Sequence, residues 1–330
     1  MPIIASELKL YRSALVSDTP ASNGGRMSLN EVVTGLSNNI MPDVPQAERT
    51  AGSTKHRKVF YRNTNAANLP LLNPYVFMDK YTQGDDAVYF FEATQTDLAS
   101  AITGSEELFG VAKLDANVAA SQTTIDVLLE NSSVVFFTDG DSIRISDRAT
   151  VDASGNAEIV TISGTPSLLG SILTINFTPA LSNSYTAAAS RVAKVLYIND
   201  LEPTYSGDSV TSTAGTYNFA QLDLTNLGTI YDTWTVTFSS PTAYSVAGAS
   251  SGAVGTGNRS GDFSPLNPAS SVAYFNLKSA GFGGTFAASD TIVFVTSPGA
   301  EPLWVRRDVP AGATAIVGNS FTLAVEGETA

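Results

Sequence analysis

The 330-residue chain contains no cysteine and only one histidine, His56. The missing cysteines exclude a disulfide framework and any zinc or iron–sulfur site held by thiolates. A Ser–His–Asp or Cys–His site would have to use His56, which lies in the basic run Lys55-His56-Arg57-Lys58. Neighbouring cations lower the pKa of an imidazole, so we expect a solvated or interfacial histidine and no catalytic base.

Long apolar runs are also missing, since none approaches the roughly 18 residues that a transmembrane helix requires. We therefore expect no membrane insertion. The N-terminal sequence MPIIASELKLYRSA lacks a basic leader followed by an apolar stretch, so we expect no signal peptide. Phosphate-binding glycine loops are absent too, because Gly255, Gly257 and Gly261 have the wrong spacing and follow no strand-to-helix unit.

Two acidic turns, Asp139-Gly140-Asp141 and Gly84-Asp85-Asp86, resemble the opening of a calcium loop. An EF-hand is excluded because Ile143 stands where an oxygen ligand is required. Hairpin turns are the default interpretation, and an irregular calcium site is the alternative. The sequence therefore predicts no cofactor, no metal site, no catalytic residue and no enzyme.

The net charge of −13 is unevenly distributed. Residues 1–62 contain 8 basic and 5 acidic side chains, whereas the rest of the chain contains 10 basic and 26 acidic ones. This balance disfavours nucleic-acid recognition, which depends on clustered cations. Two interpretations of this uneven distribution are open. The negative net charge keeps the protein soluble through repulsion between copies. Alternatively, the basic N-terminal segment docks on an acidic face of a neighbouring copy.

Short segments of β-branched and aromatic residues, separated by Gly, Asn, Asp, Ser and Pro, predict an all-β fold. The predicted strands are residues 55–63, 74–81, 87–93, 123–130, 134–137, 141–147, 157–164, 171–178, 191–198, 216–224, 233–239, 272–278, 291–297, 302–309 and 320–327. Residues 96–102 are compatible with a short helix. Residues 247–271 are rich in Gly, Ser, Asn and Pro and predict a long loop without a strand.

These segments divide the chain into four predicted regions. Residues 1–62 form an extended N-terminal arm with a short helix, and residues 63–105 form a strand-rich connecting region. Residues 106–198 form a β-barrel or sandwich, and residues 199–330 form an immunoglobulin-like β-sandwich, although the Cys-Trp-Cys signature is missing. Within it, Trp234, Val236 and Phe238 alternate and should share one face.

The helix expected in the arm begins with a capping box, Ser28 followed by Glu31. Leu29, Val32, Val33 and Leu36 then recur at helical spacing and predict one apolar face. A segment with one short helix and long connections must bury its apolar groups against another domain or subunit.

Several stretches are similar to known viral proteins: residues 7–28, 42–65, 140–148, 156–164 and 282–312. Together they resemble virion structural proteins from the tail region of tailed bacteriophages, particularly Mu-like transposable siphophages and related prophages. The resemblance extends over nearly the whole chain. It implies β-sandwich or barrel domains with extended arms that lock subunits into rings, and it carries no active-site residue.

The sequence thus predicts a structural subunit of the virion tail, in the tail tube or the baseplate (tail tip). It would be assembled in the bacterial host cytoplasm as a ring-forming homo-oligomer in contact with other virion tail proteins. A capsid decoration or head–tail connector protein and a carbohydrate-binding host adhesin are the alternatives. Arginine and aromatic residues are favoured at interfaces, and the predicted interface residues are Arg57, Lys58, Arg62, Trp304, Arg306 and Arg307. For Trp304, an ordinary core position is equally compatible.

Overall fold

The computed structural model describes residues 2–329, and the chain is nearly all β, with 46% of its residues in strands and 6% in helices. The predicted all-β fold is confirmed. Within the described range there is one α-helix, α1 (Gln46–Ala51). The 3-10 helices are Ala5–Glu7, Pro20–Ser22, Ala99–Ala101, Phe219–Gln221 and Ser279–Gly281.

Twenty-six strands follow one another in residues 2–329. The first five are β1 (Leu8–Leu15), β2 (Gly24–Glu31), β3 (Ser53–Asn63), β4 (Leu71–Lys80) and β5 (Ala87–Glu92). The next eight are β6 (Val111–Leu114), β7 (Thr124–Leu128), β8 (Ser142–Ser146), β9 (Ala157–Ile162), β10 (Ser167–Leu169), β11 (Ile172–Thr178), β12 (Arg191–Lys194) and β13 (Leu196–Tyr197). The next eleven are β14 (Thr204–Thr211), β15 (Thr216–Tyr217), β16 (Leu222–Asp223), β17 (Asp232–Phe238), β18 (Ala243–Gly248), β19 (Gly252–Asn258), β20 (Leu266–Asn267), β21 (Val272–Ala273), β22 (Asn276–Leu277), β23 (Phe282–Gly283) and β24 (Thr291–Ser297). The last two are β25 (Ala300–Val309) and β26 (Thr322–Thr329).

Two sheets form a central body. The larger has the antiparallel order β2-β1-β3-β25-β5, and the smaller has the order β13-β4-β26. Their facing side chains enclose a core that includes Val59, Phe77, Phe90 and Leu303. Strand β3 is central, with β1 and β25 on its two sides, and its second half from Arg57 is buried.

The first insertion into the body is a closed β-barrel. Its strands follow the order β11-β7-β6-β12-β8-β9, and β9 pairs with β11 to complete the circle. Alternate residues of each strand fill the interior, as the two-residue period requires. Ile125 and Val127 of β7 and Leu173 and Ile175 of β11 are at most 3% exposed. These strands lie within residues 106–198, where the sequence predicts a β-barrel or sandwich, and the sheet that they form is a barrel.

The second insertion is sandwich-like. One layer is a five-stranded sheet with the order β14-β24-β17-β18-β19, and the pairs β15–β23, β16–β22 and β20–β21 add short ribbons. Trp234, Val236 and Phe238 are at most 1% exposed and share the inner face of β17, as predicted. The insertion therefore resembles an immunoglobulin domain in being sandwich-like, but only one of its layers is a continuous sheet.

The first and last strands of the described residues, β1 and β26, both lie in the body. Strands β25 and β26, which the sequence assigned to the sandwich of residues 199–330, pair with β3, β5 and β4 of the body. The N-terminal residues predicted as an extended arm form β1, β2 and β3 of the same sheet. The strand-rich region 63–105 supplies β4 and β5. The sandwich-like insertion is thus confined to the strands from β14 to β24.

The helix predicted from Ser28 is wrong, because residues 24–31 form β2 and the helix of this region is α1. Leu29 and Leu36, both on the predicted apolar face, are each 63% exposed, so no surface covers that face. A short helix without tertiary packing does not offset its nucleation. Strand β2 instead gains a ladder with β1 and the ion pair between Glu31 and Lys9.

Three smaller predictions also differ from the structure. Residues 134–137 form no strand; Phe136 and Phe137 lie in a loop and pack into the barrel core. The predicted loop 247–271 contains β19 and β20, because backbone pairing with β18 compensates for the scarcity of apolar side chains. The helix expected in residues 96–102 is only a 3-10 turn, Ala99–Ala101.

Candidate functional site

The six predicted interface residues lie together on β3 and β25, the two adjacent strands at the centre of the body. Five of them are at most 8% exposed, namely Arg57, Lys58, Arg62, Trp304 and Arg307, and Arg306 is half-buried. Sequence reasoning grouped these residues, and the structure brings them together inside the chain. Their side chains are therefore engaged mainly in contacts within one copy, and their role at a subunit interface remains a prediction.

Lys58 and Trp304 form a buried polar centre with Asp97. The Lys58 Nζ atom donates to Asp97 Oδ1 at 2.6 Å and to the Gly25 carbonyl oxygen at 2.8 Å. Trp304 Nε1 donates to Asp97 Oδ2 at 2.7 Å. Gly24 permits this packing, because a Cβ atom at its φ of +110° would lie 2.7 Å from the Trp304 ring. The centre attaches the 94–101 segment and the β1–β2 connection to the central sheet.

The charges of this centre are mutually dependent. Burial lowers the pKa of Lys58, and the Asp97 carboxylate opposes that effect. Burial alone would raise the pKa of Asp97, but hydrogen bonds from Lys58 and Trp304 outweigh it, and the pKa is lowered. The lowered pKa keeps Asp97 ionised at neutral pH, and its carboxylate favours the charged form of Lys58.

The remaining predicted residues have local partners. Arg57 forms an ion pair with Asp18, and Arg306 forms one with Asp308 at 2.8 Å. Arg307 donates through Nη1 to the Pro42 carbonyl oxygen at 2.7 Å, while its Nε and Nη2 atoms have no partner in the described residues. The contacts of Arg57 and Arg307 tie residues 18 and 42 to the central sheet, whereas the Arg306–Asp308 pair lies within β25.

His56 is half-buried and not fully solvated, which corrects the expectation from sequence. Its ring packs edge-on against Phe91 at a centroid distance of 5.9 Å. Burial lowers the pKa of His56, and the nearby Arg306 guanidinium lowers it further. The direction of the shift agrees with the sequence argument, although burial is its larger cause.

A buried ionic cluster joins the barrel to the body. Asp79 of β4 accepts hydrogen bonds from Arg191 of β12, with Nη2 at 2.6 Å and Nε at 3.2 Å from Oδ1. Arg144 of β8 lies 3.7 Å from the same oxygen and pairs with Glu326 of β26 at 3.2 Å. Burial raises the pKa of Asp79, and the two guanidiniums oppose that shift. No local sequence signal marks this cluster, because its members come from four strands.

Two arginines join the sandwich to the body. Arg62 donates to the carbonyl oxygens of Asn226, at 2.7 Å from Nη2, and Leu227, at 2.9 Å. Arg26 lies 3.6 Å from the fully buried Asp232 and donates to Ser250 Oγ at 2.7 Å. The two insertions are thus attached to the body by buried or half-buried cations.

Carboxylates in the two acidic turns also have structural partners. Asp85 accepts from the Thr314 backbone N at 2.8 Å, and Asp86 accepts from Asn319 Nδ2 at 2.6 Å, beside a cavity of about 170 Å³. Asp139 accepts from the Gly164 backbone N at 2.7 Å. Within residues 2–329, no group of three or more His, Cys, Asp or Glu side chains is arranged to hold a metal ion.

The barrel carries an exposed apolar hairpin, β10–β11. Leu169 is 84% exposed and lies directly opposite Ile172, which is 36% exposed and lies opposite Leu128 of β7. Direct partners share a face, so these three side chains form an apolar row across three strands. The surrounding residues 159–190 contain no charged side chain.

A groove of about 440 Å³ opens between the central sheet and the sandwich. Lys9, Tyr11, Leu29, Arg62 and Thr64 line it from the sheet, and Leu227, Ala269 and Ser270 line it from the sandwich side. Arg62 is thus the one predicted interface residue that also lines this groove.

None of the helices in the described residues has the length and apolar character needed to cross a bilayer. The principal surface features of the described residues are the apolar hairpin of the barrel and the groove beside the sandwich.

In comparisons with known proteins, no family model matches this chain, and no curated protein matches it either.

Proposed function

We propose that this protein is a non-enzymatic structural subunit of a tailed bacteriophage virion. It would assemble through subunit–subunit contacts into the tail, as part of the tail tube or of the baseplate (tail tip). The partners would be further copies of the same chain and other tail proteins. The sequence resemblance described above and a body that carries two inserted β modules support this proposal.

The observation that carries the proposal is the exposed β10–β11 hairpin. Copies of a chain with a net charge of −13 repel one another. Residues 159–190 form the longest stretch of the sequence without a charged side chain, so they contribute nothing to this repulsion, and their tip exposes Leu169. Exposed apolar side chains that form a contiguous patch mark interaction sites. An uncharged apolar tip on an acidic protein is therefore suited to protein–protein contact.

The proposal is tested on the particles themselves. Purified particles of a phage that encodes the chain should contain it in stoichiometric amounts by quantitative mass spectrometry. Antibody-linked gold particles should label the tail in electron micrographs. Gold on the capsid would favour a decoration protein, and labelling at the junction would favour a connector. Absence of the protein from purified particles would refute the proposal.

A matched pair of variants tests the hairpin. Leu169→Asp and Val317→Asp each place a carboxylate at an exposed apolar position, 84% and 99% exposed. Both variants should fold, because neither side chain contributes to a core. Only Leu169→Asp should prevent incorporation into tails in a complementation assay. Equal incorporation of the two variants would contradict a role for the hairpin.

A further inference from the structure

The groove between the central sheet and the sandwich contains an unusual pair of cations. Lys9 of β1 and Arg62 of β3 are direct partners across the two strands and project from the same face. Tyr11 is two residues further along β1, so it shares that face, and Thr64 directly follows the last residue of β3. All four line the groove. Like charges placed directly opposite one another destabilise a sheet.

Carboxylates of the same chain neutralise the positive charges of Lys9 and Arg62 only in part. Lys9 Nζ lies 2.9 Å from Glu31 Oε2. Arg62 is only 6% exposed, yet in residues 2–329 no carboxylate oxygen lies within 4.0 Å of its guanidinium. Two adjacent cations therefore share one carboxylate.

Arg62 is held rigidly in this arrangement. Its Nε and Nη2 atoms donate to the carbonyl oxygens of Asn226 and Leu227, and its guanidinium lies 5.9 Å from the centre of the Tyr11 ring. The Nη1 atom donates no hydrogen bond to any residue in the range 2–329. Burial lowers the pKa of Arg62, but a guanidinium stays protonated in proteins. The groove thus presents a fixed positive charge with a donor left over.

We propose that this groove binds a carboxylate, supplied by an acidic side chain of a second copy of the chain. A guanidinium beside an ammonium group is suited to carboxylate oxygens, which accept charge-assisted hydrogen bonds. The chain itself provides the ligand in excess, because only eleven of its 31 acidic side chains form ion pairs within residues 2–329. A polyanion is disfavoured by the net charge of −13. This inference rests on the proposed function, since it assumes contact between copies.

The test measures self-association by analytical ultracentrifugation over a range of salt concentrations. Lys9→Gln should weaken association about tenfold and reduce its salt dependence, because it removes one of the two cations from the groove. Lys80→Gln is the matched control, since Lys80 is an exposed lysine outside the groove with no ion-pair partner in the described residues; it should leave association unchanged.

A variant that should strengthen self-association distinguishes an effect on binding from an effect on folding. Glu31→Gln removes the carboxylate that competes for Lys9, so it should strengthen association, which a merely destabilised protein would not do. Arg62→Gln should abolish association. Its tryptophan fluorescence should match that of the wild type, which shows that the variant is folded. Adding acetate should compete with association in the wild type.

The outcomes separate this inference from the proposed function. If the protein is found in virion tails while Lys9→Gln and Glu31→Gln associate like the wild type, the groove proposal is overturned and the structural role stands. If the variants shift association as expected but particles lack the protein, the proposed function alone fails. If NMR titration shows that acetate binds to a protein that never self-associates, a second copy is not the source of the carboxylate.

Discussion

Replacing Lys58 with methionine tests whether the buried centre holds the body together. Lys58 is 2% exposed, and its ammonium group donates to Asp97 and Gly25. Methionine has a similar length and fills the same space, but it removes the charge and the three donors. The change leaves Asp97 with its hydrogen bonds from Trp304 and Thr94 and without a counter-ion.

The expected loss can be estimated from this geometry. Removing one partner of a buried ion pair lowers the free energy of unfolding by about 3–5 kcal/mol. The Asp97 side chain is 19% exposed and retains some contact with water, so we expect the lower end, about 3 kcal/mol. At about 2 °C per kcal/mol for a chain of this size, the melting temperature should fall by about 6 °C.

The two tryptophans allow the loss to be located. Trp304 lies in the body and Trp234 in the sandwich, so single-tryptophan variants report on the two regions separately. In a Trp234→Phe background, Lys58→Met should lower the urea midpoint of the Trp304 signal. In a Trp304→Phe background, the same change should leave the Trp234 midpoint unchanged. Lys80→Met is the control and should change neither signal.

The pH dependence provides a second readout. The pKa of Asp97 is lowered in the folded protein, so the stability from the pair is present above the unfolded value of about 3.9. That stability is lost as the pH falls through the lower, folded value. Lys58→Met should reduce this loss at acidic pH, because only the hydrogen bonds from Trp304 and Thr94 then lower the pKa of Asp97. An unchanged Trp304 midpoint, or an unchanged acid dependence, would refute the role assigned to the centre.

Three further predictions concern the two insertions. Asp79→Asn should lower the free energy of unfolding by about 3 kcal/mol, measured in urea, because it leaves the buried Arg191 without a carboxylate and Arg144 with Glu326 alone; a loss below 1 kcal/mol would contradict this. Burial raises the pKa of Glu130 to about 8, so stability should fall as the pH rises from about 4.5 to 8, and Glu130→Gln should flatten that profile in thermal melts. Gly228→Ala should destabilise the sandwich, monitored by Trp234, because its Cβ would overlap the Ala273 carbonyl oxygen, whereas Gly261→Ala meets open space and should have no effect.

Local sequence patterns predicted most of the strands correctly. Strand β17 is the clearest case, because Trp234, Val236 and Phe238 alternate with Thr side chains and are all buried. Strands β7 and β11 of the barrel follow the same rule, since the two-residue period is a property of the strand itself, whereas β8 and β12 are buried at consecutive positions. The hairpin tip could also have been found from sequence, as an uncharged stretch in an acidic chain.

The candidate sites depended on information that no local pattern contains. Arg57, Lys58 and Arg62 were predicted at a subunit interface, because arginine and aromatic residues are favoured there. They are buried because β25, from the other end of the chain, pairs with β3 and places partners around them. The same pairing places β25 in the body, and β26 joins the body by pairing with β4.

Composition and periodicity determined by themselves that this protein is built from short β-strands without a cysteine-based or histidine-rich centre. Tertiary structure alone decided which strands pair, which cations are buried at the junctions and which two cations line the groove. The physical reason is that strand formation follows from alternation between neighbouring residues. Strand pairing and charge burial depend on residues that are distant along the chain and become neighbours only after folding.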